Sequence, residues 1–166
     1  AAIKGLWREC DVMLTNMVAG RSGVIRDTLP YSPDGIELPN GMVIRYNGLC
    51  QGKDGYQYIA NAREFRKLAN SEDSINWTNI YGGKVTENIV QALARIVVSE
   101  QATAITQAGF PVVLQVHDEN VCAPVLSQVD LAQQVMERVM STPPPWALLL
   151  PVACESAIGD NYGECK

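Results

Sequence analysis

A long apolar periodicity between residues 84 and 108 constrains the fold of this chain more than any other feature. The side chains that recur at the three- and four-residue spacing of one helical face are Val85, Ile89, Leu93, Ile96 and Val97. Gly109 follows the last turn, where glycine commonly ends a helix. The pattern therefore predicts one long amphipathic helix that buries a single face.

Two shorter periodic segments predict helices near residues 3–19 and 128–141. The apolar stripe of the first contains Ile3, Leu6, Trp7, Cys10, Met13, Leu14 and Met17, and that of the second contains Ala132, Val135, Met136, Val139 and Met140. Ser127, with Asp130 three residues later, predicts a capping box at the start of the second helix. Three prolines from Pro143 onward are expected to stop it.

Turn-forming residues predict antiparallel strands between and after these helices. An Asn40-Gly41 turn within residues 37–44 and a Lys53-Asp54-Gly55 turn before residues 56–59 each favour a hairpin. A third hairpin is predicted over residues 112–125, and residues 147–156 are predicted to form a last strand. The expected fold class is therefore α+β, with an antiparallel sheet packed against helices.

The composition predicts one globular domain. Of the 166 residues, 47% are hydrophobic, and no apolar run approaches the ~18 residues of a membrane span. The N-terminus has no basic-then-apolar signal segment, and the five cysteines form no CxxC, so we expect a cytoplasmic protein with reduced thiols and no membrane association. The chain opens inside a helical pattern without a starting Met, so we expect it to be a piece of a longer protein.

The charge balance limits how the chain contacts nucleic acid. Thirteen Lys and Arg residues against eighteen Asp and Glu residues give a net charge of −5. This net negative charge excludes binding of nucleic acid through overall positive charge alone. Contact with nucleic acid is therefore expected through a local face, or the carboxylates are expected to hold metal ions.

The third hairpin has an unusual tip. A two-residue hairpin turn favours Asn-Gly or Asp-Gly because φ > 0 is required there. This turn carries His117 and Asp118, followed by Glu119, and His117 is the only histidine of the chain. Either function overrides local preference here, or the turn is simply polar and solvated.

The chemistry of the tip favours a hard cation over other centres. Adjacent residues of an extended chain point to opposite faces, so Asp118 and Glu119 are not expected to hold one ion together. A Mg²⁺ ion at Asp118 would need another carboxylate from elsewhere in space. One histidine without a cysteine cluster does not make a zinc site, and no serine lies in a nucleophile-elbow context.

A polar stripe lies opposite the apolar face of the long helix. Its members step by four, three, four and four residues, and they are Lys84, Asn88, Gln91, Arg95 and Ser99. Such a stripe is ordinarily a solvated face. Here it is rich in amide and cationic groups, which is the chemistry of contacts to phosphate and to the minor groove.

These residues together carry a resemblance to a known family. The segments Tyr81-Gly82-Gly83-Lys84, Glu87 to Ala92 and Gln115-Val116-His117-Asp118-Glu119 resemble the C-terminal palm of family A DNA polymerases, nearest to the phage-encoded branch of the polymerase I family. Residues 155–163 resemble the C-terminal strand of that palm, and Leu38 to Gly41 with Arg45-Tyr46 resemble the hairpin that precedes these motifs. The resemblance spans nearly the whole chain.

Two parts of the family pattern are absent. The first catalytic motif, an Asp followed by Tyr-Ser and later a Glu, has no counterpart, because Pro30-Tyr31-Ser32 lacks the Asp and lies in the wrong place. The fingers helix that binds the incoming nucleotide is also missing. The resemblance therefore implies that residues 1–166 are the palm region after the fingers helix, with one of the two metal-binding aspartates.

The resemblance also implies a reaction and partners. It implies template-directed DNA synthesis with Mg²⁺, in which Asp118 is a metal ligand, His117 contacts the primer end and Glu119 tunes the site. Gln91, Asn88, Arg95 and Lys84 would contact the primer–template DNA. Deoxynucleoside triphosphates and the remainder of the polymerase, with its other catalytic Asp, are the further expected partners, and a phage-encoded enzyme would work in the host cytoplasm.

Two other readings of the sequence remain open. One is a non-catalytic palm fragment that binds DNA or acts as a scaffold. The other is an unrelated metal-dependent hydrolase that uses Asp118 with Glu155 or Asp160. The polymerase reading predicts that this chain alone is inactive, whereas the hydrolase reading predicts metal-dependent turnover by the isolated chain.

Overall fold

The computed structural model describes residues 2–61, Phe65 and residues 76–165. The chain divides into two compact units, Ala1–Ala92 and Leu93–Lys166. Each unit is built of antiparallel strands and helical segments, so the predicted α+β class is confirmed. The assignment of residues 1–166 to one palm region remains a prediction.

The first unit begins with a helix and continues as two small antiparallel sheets. Helix α1 spans Ala2–Val18. The first sheet has the order β1-β2-β3-β4, with strands Gly23–Ile25, Leu29–Ser32, Gly35–Glu37 and Val43–Ile44. The second has the order β5-β6-β7, with strands Cys50–Gly52, Gly55–Tyr58 and Thr78–Ile80. The core of the unit contains the buried face of α1, including Met13 and Leu14, and the strand residue Ile36.

Both predicted hairpins of this unit are present. The Asn40-Gly41 turn joins β3 to β4, where the Gly41 N–H donates to the Leu38 carbonyl at 2.9 Å and Gly41 has φ +80°. The Lys53-Asp54 turn joins β5 to β6, and Gly52 pairs with Gly55 across it. The glycines provide the backbone freedom that these turns require.

The long predicted helix is α2, which spans Gly82–Gln107. At its start the Gly82 N–H donates to Asp11 Oδ1 at 2.6 Å, so a carboxylate of α1 caps the helix and lies at the positive end of its dipole. A Cβ on Gly82 would collide with the carbonyl oxygen of Trp7, so only glycine permits this close approach. The predicted apolar face is the buried one, because Val85, Ile89 and Ile96 are at most 6% exposed.

The second unit contains the rest of α2, a hairpin and a further helix. The hairpin consists of β8, Val112–Val116, and β9, Glu119–Cys122. A 3₁₀ turn at Leu126–Gln128 leads into α3, which spans Val129–Met140. Ile105, Phe110, Ala132 and Val135 form the buried centre, so α3 and the end of α2 share one core with the hairpin.

The predicted last strand is wrong, since residues 147–156 form no strand. Ala147 N–H donates to the Pro144 carbonyl and Leu150 N–H to the Ala147 carbonyl, both at 2.9 Å, which makes two tight turns. Pro151 has no N–H to give to a ladder, and Leu149 is 97% exposed. The likeness of residues 155–163 to a strand also fails, because this segment ends in a 3₁₀ turn at Tyr162–Glu164.

The predicted capping box of α3 is also wrong. Ser127 lies inside the preceding 3₁₀ turn, and Gln128 takes the N-cap position without a side-chain hydrogen bond. The helix instead carries Asp130 in its first turn and Arg138 in its last, which suits the helix dipole at both ends. Among the helices of the described residues, none is long and apolar enough to cross a membrane.

Candidate functional site at the hairpin tip

The hairpin holds the three candidate catalytic residues at its tip. Val116 pairs with Glu119, so His117 and Asp118 are the two turn residues, as the sequence predicts. His117 has φ +51°, a left-handed conformation that few residues other than glycine adopt. All three side chains are exposed. The turn thus keeps a strained histidine and two acids at the surface.

The two adjacent carboxylates have different surroundings. Glu119 Oε2 accepts a hydrogen bond from the Tyr162 hydroxyl, and this contact raises the pKa of Tyr162. Within the described residues, the Asp118 carboxylate has no hydrogen-bond or ion-pair partner. One acid is therefore held by the protein, whereas the other faces solvent and can receive an external ligand.

Three amide side chains, two buried and one half-buried, lie behind the tip. Gln115 and Asn120 pair across the strands, and Gln115 Nε2 donates to Asn120 Oδ1 at 2.9 Å. Asn120 is 8% exposed, and its own amide lies 3.8 Å from Met140 Sδ. Gln101, which is 9% exposed, donates to the Met140 carbonyl at 3.0 Å. Hydrogen-bonded amides of this kind, shielded from water, fix strand register and orientation.

Sequence reasoning missed these amides as supports of the site. Gln115 and Asn120 stand symmetrically around the turn, and this was the available signal. Their pairing depends on the register of the hairpin, and the burial of Asn120 depends on helix packing.

The polar stripe of α2, which is the predicted nucleic-acid face, also includes an acidic residue that contacts two of its members. Glu87 links two of its members, because Lys84 Nζ lies 2.9 Å from Glu87 Oε2 and Gln91 Nε2 donates to Glu87 Oε1 at 3.2 Å. The Glu87 contact raises the pKa of Lys84. Glu87 was not among the candidates, although its three- and four-residue spacing to Lys84 and Gln91 was a usable signal.

Asn88 points into the first unit. Its Nδ2 donates to the Tyr46 hydroxyl at 3.1 Å, and Tyr46 is 5% exposed. Burial raises the pKa of Tyr46 to about 12, against the lowering effect of the Asn88 hydrogen bond. Asn88 thus has a structural partner, which a spacing argument does not reveal. Arg95 is exposed and belongs to the second unit.

The charges are divided unevenly between the two units. Residues 1–92 contain ten basic and ten acidic side chains, whereas residues 93–166 contain three basic and eight acidic ones. The whole net charge of −5 therefore belongs to the unit that carries the hairpin. The net negative charge of residues 93–166 favours binding of cations at the hairpin tip. Residues 1–92 have no net charge, so they repel the phosphates of nucleic acid less.

The donor set at the tip fits a divalent cation only in part. An exposed carboxylate is the oxygen ligand that Mg²⁺ prefers. Within residues 2–61, 65 and 76–165, no three His, Cys, Asp or Glu side chains form a group that could hold a metal ion. Asp118 is thus one suitable ligand, and no group of three such side chains completes a site around it within the described residues.

Comparison with curated proteins finds a partial relative. The chain is 37% identical over 84 residues to a protein described as a DNA polymerase from Bacillus phage SP02. The match covers 51% of this chain and 13% of the phage protein. No protein-family model and no solved structure matches the chain. The chain is therefore related in part to a phage DNA polymerase, of which it spans a small fraction.

Proposed function

We propose that this chain is the C-terminal palm region of a family A, phage-type DNA polymerase and takes part in template-directed 5′–3′ DNA synthesis. The observation that carries the proposal is the exposed His117-Asp118 tip of the antiparallel hairpin. The similarity to a phage DNA polymerase over half of the chain supports it. The partners would be primer–template DNA, deoxynucleoside triphosphates and the remainder of the polymerase.

Asp118 is the proposed metal ligand. Its carboxylate is exposed and lacks a partner among the described residues, so it is available to Mg²⁺ without first breaking an internal contact. Bound Mg²⁺ would activate the primer 3′-hydroxyl and neutralise charge on the departing pyrophosphate. The second catalytic Asp would come from the remainder of the polymerase.

The neighbours of Asp118 have supporting roles. His117 is exposed at the same turn and would donate a hydrogen bond to the primer terminus. Glu119 is occupied by Tyr162, so it would shape the site rather than bind the ion directly. The hydrogen bond between half-buried Gln115 and buried Asn120 would keep the turn in place while the substrate binds.

The stripe of α2 is the proposed primer–template contact. Gln91 uses one amide hydrogen for Glu87 and keeps a second for a minor-groove acceptor. Lys84 and Arg95 are exposed and would contact phosphates. Asn88 would take part only through the amide atoms that its bond to Tyr46 leaves available.

The proposal is tested with Asp118→Asn in the complete protein. The substitution keeps the size of the side chain and removes the anionic ligand, so nucleotidyl transfer should fall by at least ~10² to 10³ while DNA binding is retained. The matched control is Asp54→Asn, because Asp54 occupies the same second position in another two-residue hairpin turn. Primer extension and DNA affinity are measured for both variants.

The outcomes separate the proposal from its rivals. Near-normal extension by Asp118→Asn would overturn the catalytic assignment. Metal-dependent hydrolysis by this chain alone, abolished by Asp118→Asn, would favour the hydrolase. That enzyme would need Asp118 together with Glu155 or Asp160.

A further inference from the structure

Tyr162 contacts the candidate site from a distant part of the sequence. Its hydroxyl donates to Glu119 Oε2, although the two residues are 43 positions apart. Tyr162 is half-buried, and Glu119 is exposed. The hydroxyl binds the acid next to Asp118, on the strand that immediately follows the turn.

The segment around Tyr162 is a small, self-supported turn. Asn161 caps it, since Asn161 Oδ1 accepts from the Gly163 N–H at 3.1 Å. Glu164 closes it, with Oε1 accepting from Asn161 Nδ2 at 2.6 Å and Oε2 accepting from the Asp160 N–H at 3.1 Å.

Gly159 lets this turn close tightly. A Cβ on Gly159 would lie 2.8 Å from the Cβ of Glu164. These contacts hold the backbone that presents Tyr162 to the hairpin.

We propose that Tyr162 is a positioning residue for the hairpin tip, a role that rests on the proposed function. Its hydroxyl fixes the Glu119 side chain, and through it the first residue of β9, so that the Asp118 carboxylate is presented in one orientation. It also keeps the Glu119 carboxylate from competing for a cation at Asp118. Asp118 is thus left to bind the cation, whereas Glu119 holds the turn through Tyr162.

The hydrogen bond between Tyr162 and Glu119 is better explained by positioning of the hairpin tip than by stabilisation of the fold. Glu119 is exposed and Tyr162 is only half-buried, and one hydrogen bond in such a place adds little to the stability of a whole domain. The same bond acts directly on the residue next to the proposed ligand, where a displacement of about 1 Å can reduce a rate as much as 10²-fold. Its main effect is therefore expected in turnover rather than in folding.

The test is a double-mutant cycle in the complete protein. Tyr162→Phe removes only the hydroxyl, Glu119→Ala removes the acceptor, and Glu119→Gln keeps a carbonyl acceptor without the charge. The control is Tyr56→Phe, which removes another surface hydroxyl bond, from Tyr56 to Thr15 Oγ1 at 2.8 Å. The readouts are kcat, KM for DNA and for nucleotide, and amide hydrogen exchange at His117 to Asn120 without metal.

Four results are expected. Tyr162→Phe lowers kcat about tenfold with KM for DNA unchanged, and it accelerates exchange at the tip. Glu119→Gln loses less kcat than Glu119→Ala, because the amide oxygen still accepts the hydrogen bond. Tyr162→Phe with Glu119→Ala is no worse than Glu119→Ala alone, because the two residues act through one contact. Tyr56→Phe behaves as the wild type.

Two results would overturn the inference while the proposed function stands. One is normal kcat and exchange for Tyr162→Phe in an enzyme that Asp118→Asn inactivates. The other is a loss for Glu119→Gln as large as that for Glu119→Ala, which would show that the charge matters and not the hydrogen bond. An active Asp118→Asn enzyme would instead defeat the proposed function, whatever Tyr162 does to exchange at the tip.

Discussion

His117 occupies a backbone conformation that its side chain does not favour. Its φ of +51° places a residue with a Cβ in the left-handed region, which costs roughly 1–2 kcal/mol. Glycine adopts this conformation freely and is the usual choice in such turns. A histidine in this conformation therefore indicates a functional role for its imidazole.

We therefore expect His117→Gly to separate stability from function. The free energy of unfolding should be unchanged or higher by up to about 1 kcal/mol, because relief of strain is offset by the greater chain entropy of glycine. Primer extension by the complete protein should fall, since the imidazole is lost. Urea unfolding and extension assays measure the two effects.

His117→Val is the opposite control. A β-branched side chain tolerates positive φ poorly, so this variant should lose about 1 kcal/mol or more. If His117→Gly is also destabilised by more than about 1 kcal/mol, the imidazole has a structural contact and the strain does not indicate function.

At the level of elements, α2 is tied to the strands of the first unit through Tyr46. The Tyr46 hydroxyl accepts from Asn88, and its ring meets that of Tyr58 edge-on, with centroids 5.1 Å apart at 86°. The ring lies in the core, so a charged phenolate is disfavoured there. The contact anchors the helix that carries the proposed DNA face.

This anchor predicts a loss of stability at alkaline pH. The pKa of Tyr46 is raised to about 12 in the folded chain, whereas an unfolded tyrosine ionises near 10. The unfolded state therefore releases a proton first, and stability present below pH ~10 falls as the pH rises towards 12. Two pKa units at ~1.4 kcal/mol each correspond to a full loss of about 2.8 kcal/mol, of which about 2 kcal/mol should already be lost at pH 11.5.

Tyr46→Phe should remove this part of the pH dependence. It should also cost about 1 kcal/mol at pH 8, because the Asn88 amide loses its acceptor. Urea unfolding at pH 8, 10 and 11.5 compares the two proteins, and the contributions of the other tyrosines cancel in the difference. Parallel pH curves for wild type and variant would show that Tyr46 ionises normally.

For the whole molecule, the uneven distribution of charge suggests that one unit binds the cation and that the other contacts DNA. All of the excess negative charge is in residues 93–166, together with the tip that would receive a cation. The neutral residues 1–92 include Gln91 and Lys84, the proposed contacts to DNA. A chain with a net charge of −5 can therefore still offer nucleic acid a local neutral face.

Gln91→Ala tests this face. In the complete protein it should weaken primer–template affinity about tenfold, or ~1.4 kcal/mol, by removing one amide contact, and leave unfolding unchanged because Gln91 is exposed. Gln107→Ala is the control, since Gln107 is an exposed glutamine of the same helix outside the stripe. Equal affinities for both variants would identify the stripe as an ordinary solvated surface.

The sequence by itself determined the elements whose causes are local. Side-chain periodicity fixes α2, backbone preference fixes the Gly41 and Gly55 turns, and the apolar runs on either side of His117 and Asp118 place the third turn between them. All were predicted at their places. An apolar run did not suffice for a strand at residues 147–156, because a strand also needs a partner for its backbone, and Pro151 and two tight turns prevent one.

Only the tertiary structure decided which polar groups meet. The bonds of Glu119 to Tyr162 and of Asn88 to Tyr46 join residues more than forty positions apart, so no spacing rule reveals them. The burial of Asn120 likewise depends on helix packing around the hairpin. Local preference sets where a turn forms, whereas packing sets which of its side chains are held and which, like Asp118, remain available to a ligand.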